Sequence, residues 1–495
     1  MRKLMLTTTA TAAISNAAHG QTAPESAIKS FLDGEPGSIT AAAITVYGVI
    51  DANVVYQTHG TPLGKYITTA VEYPISKNSN RSQFTYAANG LSQSTIGIKG
   101  KQALADLTGQ PGLSGWTVSF DLQMGFDPVT GTIADGVRSL TQQNGVDQRV
   151  QTSGSDSSRA GQVFNGEAWA GLKHDVLGEL RFGRNNSLLM DAFGQYDPQK
   201  LSNAFSLFGY SGTLGGGLGA TEDSRWNNSL KYRNTFGPVR VAAQYRFAGA
   251  GQGGEDYVFG LGLDLPGGLK GLSIDGIWGQ TKGANVSNAL SASQCGALGL
   301  SLAVCQSSIY VNGQISNNEV FALMAKYEAS PALTVFGGWE EITNSNGAAV
   351  PRDTSIAGGY VLNPLTINVF NFKTDRVTDI TWAGARYSFT PKLSGALAWY
   401  HIEQNAFLTG GAGTSCAAGT AANAINKTKG TFLGTATASN CAGSENLVSV
   451  SLDYQATKRL DLYAGIEWSE VKGGLASGFL YKSTIDPTIG ARLRF

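Results

Sequence analysis

Charge is scarce in this sequence. Only 15% of the 495 residues are Asp, Glu, Lys or Arg, against roughly 25% in soluble proteins. The length would suit two or three soluble domains, but the missing charge argues against them. Proline is low, at 14 residues. Long apolar runs are missing too. Nothing approaches the roughly 18–20 uninterrupted apolar residues of a spanning helix, and the 42% hydrophobic share is modest, so a helical membrane protein is excluded. Histidine is down to His19, His59, His174 and His401, with no metal-ligand spacing and no basis for a Ser–His–acid triad. No enzyme, cofactor or metal site is therefore expected. Gly215-Gly216-Gly217-Leu218-Gly219-Ala220 is glycine-rich, but lacks the βαβ setting of a phosphate loop and is read as a place where a loop bends. Bases and acids are equal at 36 each, which gives nucleic acid nothing to bind.

Cysteine is reduced to four residues. Cys295 and Cys305 share one polar segment, and Cys416 and Cys441 share another, with no zinc-like spacing. Two local disulfides are expected, formed in an oxidising compartment, with free thiols as the other reading. Residues 1–22 read as a secretory signal: Arg2 and Lys3, a weakly apolar stretch from Leu4 to Ala18, then small residues up to Ala23. Its removal leaves 34 bases against the 36 acids, a net charge of about −2. Residues 23–43 form an N-terminal extension, readable as a short helix, a plug or a linker.

What the chain does have is glycine, at 64 residues, and alternation with period two from residue 44 to residue 495. Sixteen segments show it: 44–56, 91–101, 115–126, 162–174, 177–184, 226–235, 238–248, 255–265, 270–282, 318–329, 332–343, 377–389, 392–403, 445–457, 459–471 and 485–495. Many are about ten residues long, enough for a tilted strand to cross a bilayer. In 115–126, Trp116, Val118, Phe120, Leu122 and Met124 oppose Thr117, Ser119, Asp121 and Gln123. A soluble sandwich can alternate in the same way.

The connections decide between the two. Every second one is short and the others are mostly long, among them 57–90, 127–161, 185–225, 283–317, 344–376 and 404–444. Short turns at one end and long loops at the other are the asymmetry of a bacterial transmembrane β-barrel. Closure leaves no backbone group unpaired in hydrocarbon, and sixteen strands leave an aqueous lumen. The expected fold is an all-β antiparallel barrel over residues 44–495, with both cysteine pairs outside the cell.

Particular stretches resemble the Gram-negative general porins, of the sixteen-stranded trimeric kind common in β-proteobacteria. They are Ile44-Thr45-Val46-Tyr47-Gly48-Val49-Ile50-Asp51-Ala52, Ser94-Thr95-Ile96-Gly97-Ile98-Lys99-Gly100, Glu167-Ala168-Trp169-Ala170-Gly171-Leu172-Lys173, Leu180-Arg181-Phe182-Gly183-Arg184-Asn185, Met190-Asp191-Ala192-Phe193 and Ser224-Arg225-Trp226-Asn227-Asn228-Ser229-Leu230-Lys231-Tyr232. The resemblance implies an outer-membrane passive diffusion channel, a homotrimer, and a third external loop, here 185–225, folded into the lumen. It also implies that terminal Phe495 is read by the barrel-assembly machinery. Thr95 and Gly166 stand where the family often carries Arg. The other function weighed is a substrate-selective channel with a weak solute-binding site.

Strand parity nominates the pore wall. A lipid-facing Lys or Arg costs about 2–4 kcal/mol at mid-bilayer, so the basic face of 226–235 must point inward. The expected wall cluster is Arg181, Arg225, Lys231, Arg233 and Arg240. The resembled family implies loop acids facing it across the eyelet: Asp191, Asp197, Glu222 or Asp223. Solvated charge at a barrel end is the plain alternative for any one of them. Trp116, Trp169, Phe182 and Tyr245 are read as outward, and Arg184 as structural. The expected partners are outer-membrane lipid and small hydrophilic solutes, with mild anion preference.

Overall fold

A computed structural model describes the strands and most of the turns; residues 1–24, 59–81, 134–162, 210–224, 248–255, 266–270, 293–300, 304–312, 347–359, 368–373, 408–424, 433–441 and 474–482 chiefly lie outside the described residues. Eighteen strands share one antiparallel sheet. One is the short Ile39–Ala41, laid on the start of the first long strand. Two others, Gln83–Ala88 and Thr95–Ala103, both pair with the first long strand and form a single stave in two pieces. Sixteen staves therefore span the barrel.

In chain order they are β1 (Ile44–Gln57), β2 (Gln83–Ala88 and Thr95–Ala103), β3 (Trp116–Gly125), β4 (Ala168–His174), β5 (Gly178–Asn186), β6 (Arg225–Phe236), β7 (Val239–Arg246) and β8 (Asp256–Asp264). The second half is β9 (Leu272–Ser287), β10 (Gly313–Glu328), β11 (Leu333–Asn346), β12 (Arg376–Ser388), β13 (Leu393–Gln404), β14 (Gly443–Gln455), β15 (Leu460–Gly473) and β16 (Ser483–Arg494). Each pairs with its sequence neighbours. β16 returns to β1, from Val49 opposite Arg494 to Val55 opposite Thr488, so the sheet has no edge.

At the seam Gly48 is required. A Cβ there would lie 2.4 Å from the Phe495 ring and 2.7 Å from the Thr95 carbonyl. The bare backbone leaves room for the terminal aromatic, and Gly48 and Phe495 exchange backbone hydrogen bonds of 2.9 and 3.0 Å.

The alternating pattern lands as the sequence predicts over most of the barrel. Phe182, Phe259, Leu261 and Ile489 are exposed on the outer face. Among the aromatics read as outward, Trp169 is the exception. It shares a face with Glu167, Gly171 and Lys173, is buried, and lies under Arg181, whose Cζ is 4.0 Å from its ring centroid. Parity with Glu167 and Lys173 carried that information, and reading Trp169 as lipid-facing is corrected.

The extension resolves into a helix, α1 (Glu25–Asp33), at the short-turn end. Arg459 in the β14–β15 turn stacks on Phe31 at 4.3 Å and donates to the carbonyls of Gly34 and Glu35, both at 3.0 Å. Lys458 pairs with Glu35.

Candidate functional site

The third long connection leaves β5 and turns into the barrel. Ser187 caps α2 (Leu188–Tyr196), its Oγ accepting from the Met190 amide at 3.1 Å. Leu188, Leu189, Ala192, Phe193 and Tyr196 form the buried face of this helix. They meet Val258, Ile277, Val320, Ala322, Met324, Ile342, Ile380 and Trp382 on the inner wall. That wall is apolar because the loop covers it. Phe193 stacks on Phe208 with ring centroids 4.3 Å apart, and Phe208 meets Trp382 edge-on at 5.0 Å.

Beyond α2 the chain is pinned by polar contacts. Trp382 Nε1 donates to the Tyr196 carbonyl at 3.1 Å, and Arg386 Nη1 to the Pro198 carbonyl at 2.9 Å. Gln199 donates to Ser449 at 3.0 Å and accepts from Ser451 at 2.7 Å. Ser202 and Ala204 both donate to the Gly90 carbonyl at 2.9 Å. Gly90 belongs to the break between the two pieces of β2. Asp51 on β1 holds this break by accepting from the amides of Gly90, Leu91 and Ser92, and it also accepts from the Tyr463 hydroxyl at 2.6 Å. The loop thus runs along the inside of the β8–β15 wall and ties back near β1.

The expected acids do not stand opposite the bases. Asp191, in the first turn of α2, pairs directly with Lys231 and Arg233. Loop acid and wall base are on the same side because α2 packs against the wall that carries them. Asp197 is fully buried and accepts from the Tyr400 and Ser206 hydroxyls and from the Gln199 and Leu201 amides. Burial outweighs these donors and holds its carboxyl above the usual range. Asp197 anchors the loop and does not line the lumen. Glu222 and Asp223 lie outside the described residues, as do Cys295, Cys305, Cys416 and Cys441.

Among the bases, Arg181 pairs with Glu179 at 2.8 Å. Arg240 pairs with Asp264 and with Asp275, the latter at 2.8 Å, and also donates to the Tyr196 hydroxyl at 3.0 Å. Arg246 pairs with the buried Asp256. Arg225 leaves the row. Gly183 faces Ser229 while Asn185 faces Trp226, so β6 carries an extra residue at a bulge around Asn228, whose φ is +51°. The bulge reverses parity, and Trp226 takes the inward place in the cluster with Leu188 and Val258. Strict alternation could not show this shift. Arg184 donates to the Gly166 and Asn165 carbonyls and to Asn227, a structural role. A cavity of about 150 Å³ between α2 and β6–β9 is bordered by Asp191, Gln195, Arg233, Arg240 and Asp275.

Four lumen groups escaped the sequence reading: Lys200 in the loop, and Lys326, Arg386 and Arg492 on inner faces. Lys326 shares its face with Val320, Ala322 and Met324, while Phe321 and Leu323 of the same strand face outward and are exposed. With apolar residues on both faces, polarity gives no orientation. Burial first, then the charges of Arg386 and Arg492, holds Lys200 below the usual lysine range.

The Gram-negative porin family model matches residues 7–474. The chain belongs to the Gram-negative porin family. It is an outer-membrane protein, and the family and fold are those of channels. Among solved structures, this porin is similar to an anion-selective porin from Comamonas acidovorans, with a TM-score of 0.55 and 14% identity over 91% of this chain and 99% of that one. It is also similar to a loop L8 deletion mutant of OmpT, an outer membrane protein of Vibrio cholerae, with a TM-score of 0.51 and 13% identity over 91% and 99%. A third is the outer membrane channel DcaP of Acinetobacter baumannii, with a TM-score of 0.50 and 11% identity over 93% and 100%. No curated protein matches the sequence.

Proposed function

We propose that this porin is a passive diffusion channel for small hydrophilic solutes and ions, mildly anion-preferring, and active as a homotrimer of separate pores. The observation that carries this reading is the course of the third loop. It lies against the β8–β15 wall and leaves the β1–β5 wall, with Lys99, Asp121, Glu167 and Arg181, to border the lumen. A wide pore selects by the charges at its narrow part. Here most wall bases have a carboxylate partner, which supports a mild preference rather than a strict one. The Comamonas neighbour is an anion-selective porin, and one OmpT structure is a trimer form. Residues 1–22 act as the signal peptide, and α1 in the 23–43 extension packs at the periplasmic end.

Single-channel recording in planar bilayers tests the reading. Open steps with a reversal potential on the anion side of zero in a potassium chloride gradient are expected. A silent, plugged barrel would overturn it. Block by one solute, and not by others of equal charge, would replace it with a substrate-selective channel.

A further inference from the structure

The wall cluster around β5–β9 is nearly neutral. Arg181 has Glu179, Lys231 and Arg233 share Asp191, and Arg240 touches Asp264 and Asp275. The β10–β16 sector is different near its short-turn ends. Arg492 and Arg494 share Asp461, and Arg492 also reaches Asp453 at 3.3 Å. Lys200, Lys326 and Arg386 have no ion-pair partner among the described residues. Lys326 instead lies over the Tyr196 ring at 5.7 Å, and Arg386 holds the Pro198 carbonyl.

These three groups converge from separate elements. Lys326 comes from β10 and Arg386 from β12, each two residues from the end of its strand. Lys200 comes from the third loop, two residues beyond the Pro198 carbonyl that Arg386 holds. It sits at φ +54°, in a tight turn closed by the hydrogen bond its backbone N–H donates to the Asp197 carbonyl at 3.1 Å. Its electrostatic neighbours are Arg386, Arg492, Asp453 and Lys326, which lie on inner faces from β10 to β16. The inner-face acids Glu340, Glu445, Glu467 and Asp486 lie higher on their strands and are buried.

We infer that Lys200, Lys326 and Arg386 form an anion station on the periplasmic side of the third loop, and that this station, rather than the Arg181–Arg240 wall cluster, sets the anion preference. Unpaired cations in a confined water column act over about 8–10 Å before salt screens them. Chloride is drawn by the summed field of the three, and a solute carrying two negative charges, a sulfate, phosphate or dicarboxylate, gains about twice as much and can accept from more than one of them directly. Transient residence of such dianions at the mouth of the pore follows.

The inference rests on the channel reading, and the two fail separately. Wild-type conductance tests the channel. Lys200→Glu and Lys326→Glu, placed on a loop and on a strand, test the station in the full-length porin. Each is expected to lower the chloride-to-potassium permeability ratio by about twofold or more while open conductance persists. Sulfate is expected to reduce the wild-type chloride current and to lose that effect in the double variant. If both variants keep the wild-type ratio and the sulfate effect, the station does not exist, and the channel reading stands unharmed.

Discussion

The ammonium of Lys231 is held between the Asn186 carbonyl, 2.8 Å away, and the carboxylate of Asp191, and its side chain is only 1% exposed. Arg233, 35% exposed, meets the same carboxylate from the lumen side. Asp191 therefore masks two bases instead of opposing them. Asp191→Asn is expected to move the reversal potential further toward anions, chiefly through Arg233. Stability should fall by about 3 kcal/mol, the low end for breaking a buried pair, since Asp191 is partly exposed. A shift toward cations would mean that Asp191 acts across the eyelet after all.

The seam between Gly48 and Phe495 gives a second prediction. Phe495→Ser removes the ring that lies on Gly48, and Gly48→Val places a side chain where that ring and the Thr95 carbonyl already are. Both variants should lower outer-membrane levels and weaken the heat-resistant band on gels. Normal levels of Phe495→Ser would show that the terminal ring is dispensable for assembly.

The cysteines give a third. Cys295 with Cys305, and Cys416 with Cys441, are proposed as two local disulfides in external loops, because each pair lies within one long connection. Non-reducing peptide mapping should recover both bridges. Free thiols, or a bridge between the two loops, would refute the pairing.

These cases also mark where the sequence was legible. Outer faces of β3, β7 and β16 could be read directly, because lipid demands apolar side chains and water tolerates polar ones. The same rule failed on β10–β13, where Ile380, Trp382, Ala398 and Ile402 are apolar and inward under the loop. A covered inner wall looks like lipid to a pattern reader, and Lys326 and Arg386 were lost with it. Arg225 failed for another reason, the bulge at Asn228, which leaves no trace in polarity. Asp191 and Asp197 were recognised as loop acids, but only packing could show which wall the loop would choose.

The anchoring of that loop supplies the last prediction. Asp197 gathers Tyr400, Ser206 and two backbone amides within the loop layer. One carboxyl oxygen accepts from the Gln199 amide and the other from the Leu201 amide, so the carboxamide of Asp197→Asn, with a single accepting oxygen, leaves one of these amides without an acceptor. Asp197→Asn should therefore loosen the loop, but less than Asp197→Ala. Asp197→Ala strands several buried donors, each costing about 1–3 kcal/mol when left without an acceptor. It should loosen the segment that carries Lys200 while the hydrogen-bonded barrel stays closed. The expected record is a larger or noisier open current with weaker anion preference in Asp197→Ala, and a smaller change of the same sign in Asp197→Asn. The apolar layer alone could also hold the loop, since Phe193, Phe208 and Trp382 remain stacked in both variants. Phe208→Ala, at about 3–5 kcal/mol for an emptied aromatic site, separates the two supports. If Phe208→Ala opens the pore and Asp197→Ala leaves it unchanged, the loop is held by its apolar face and the Asp197 network is incidental.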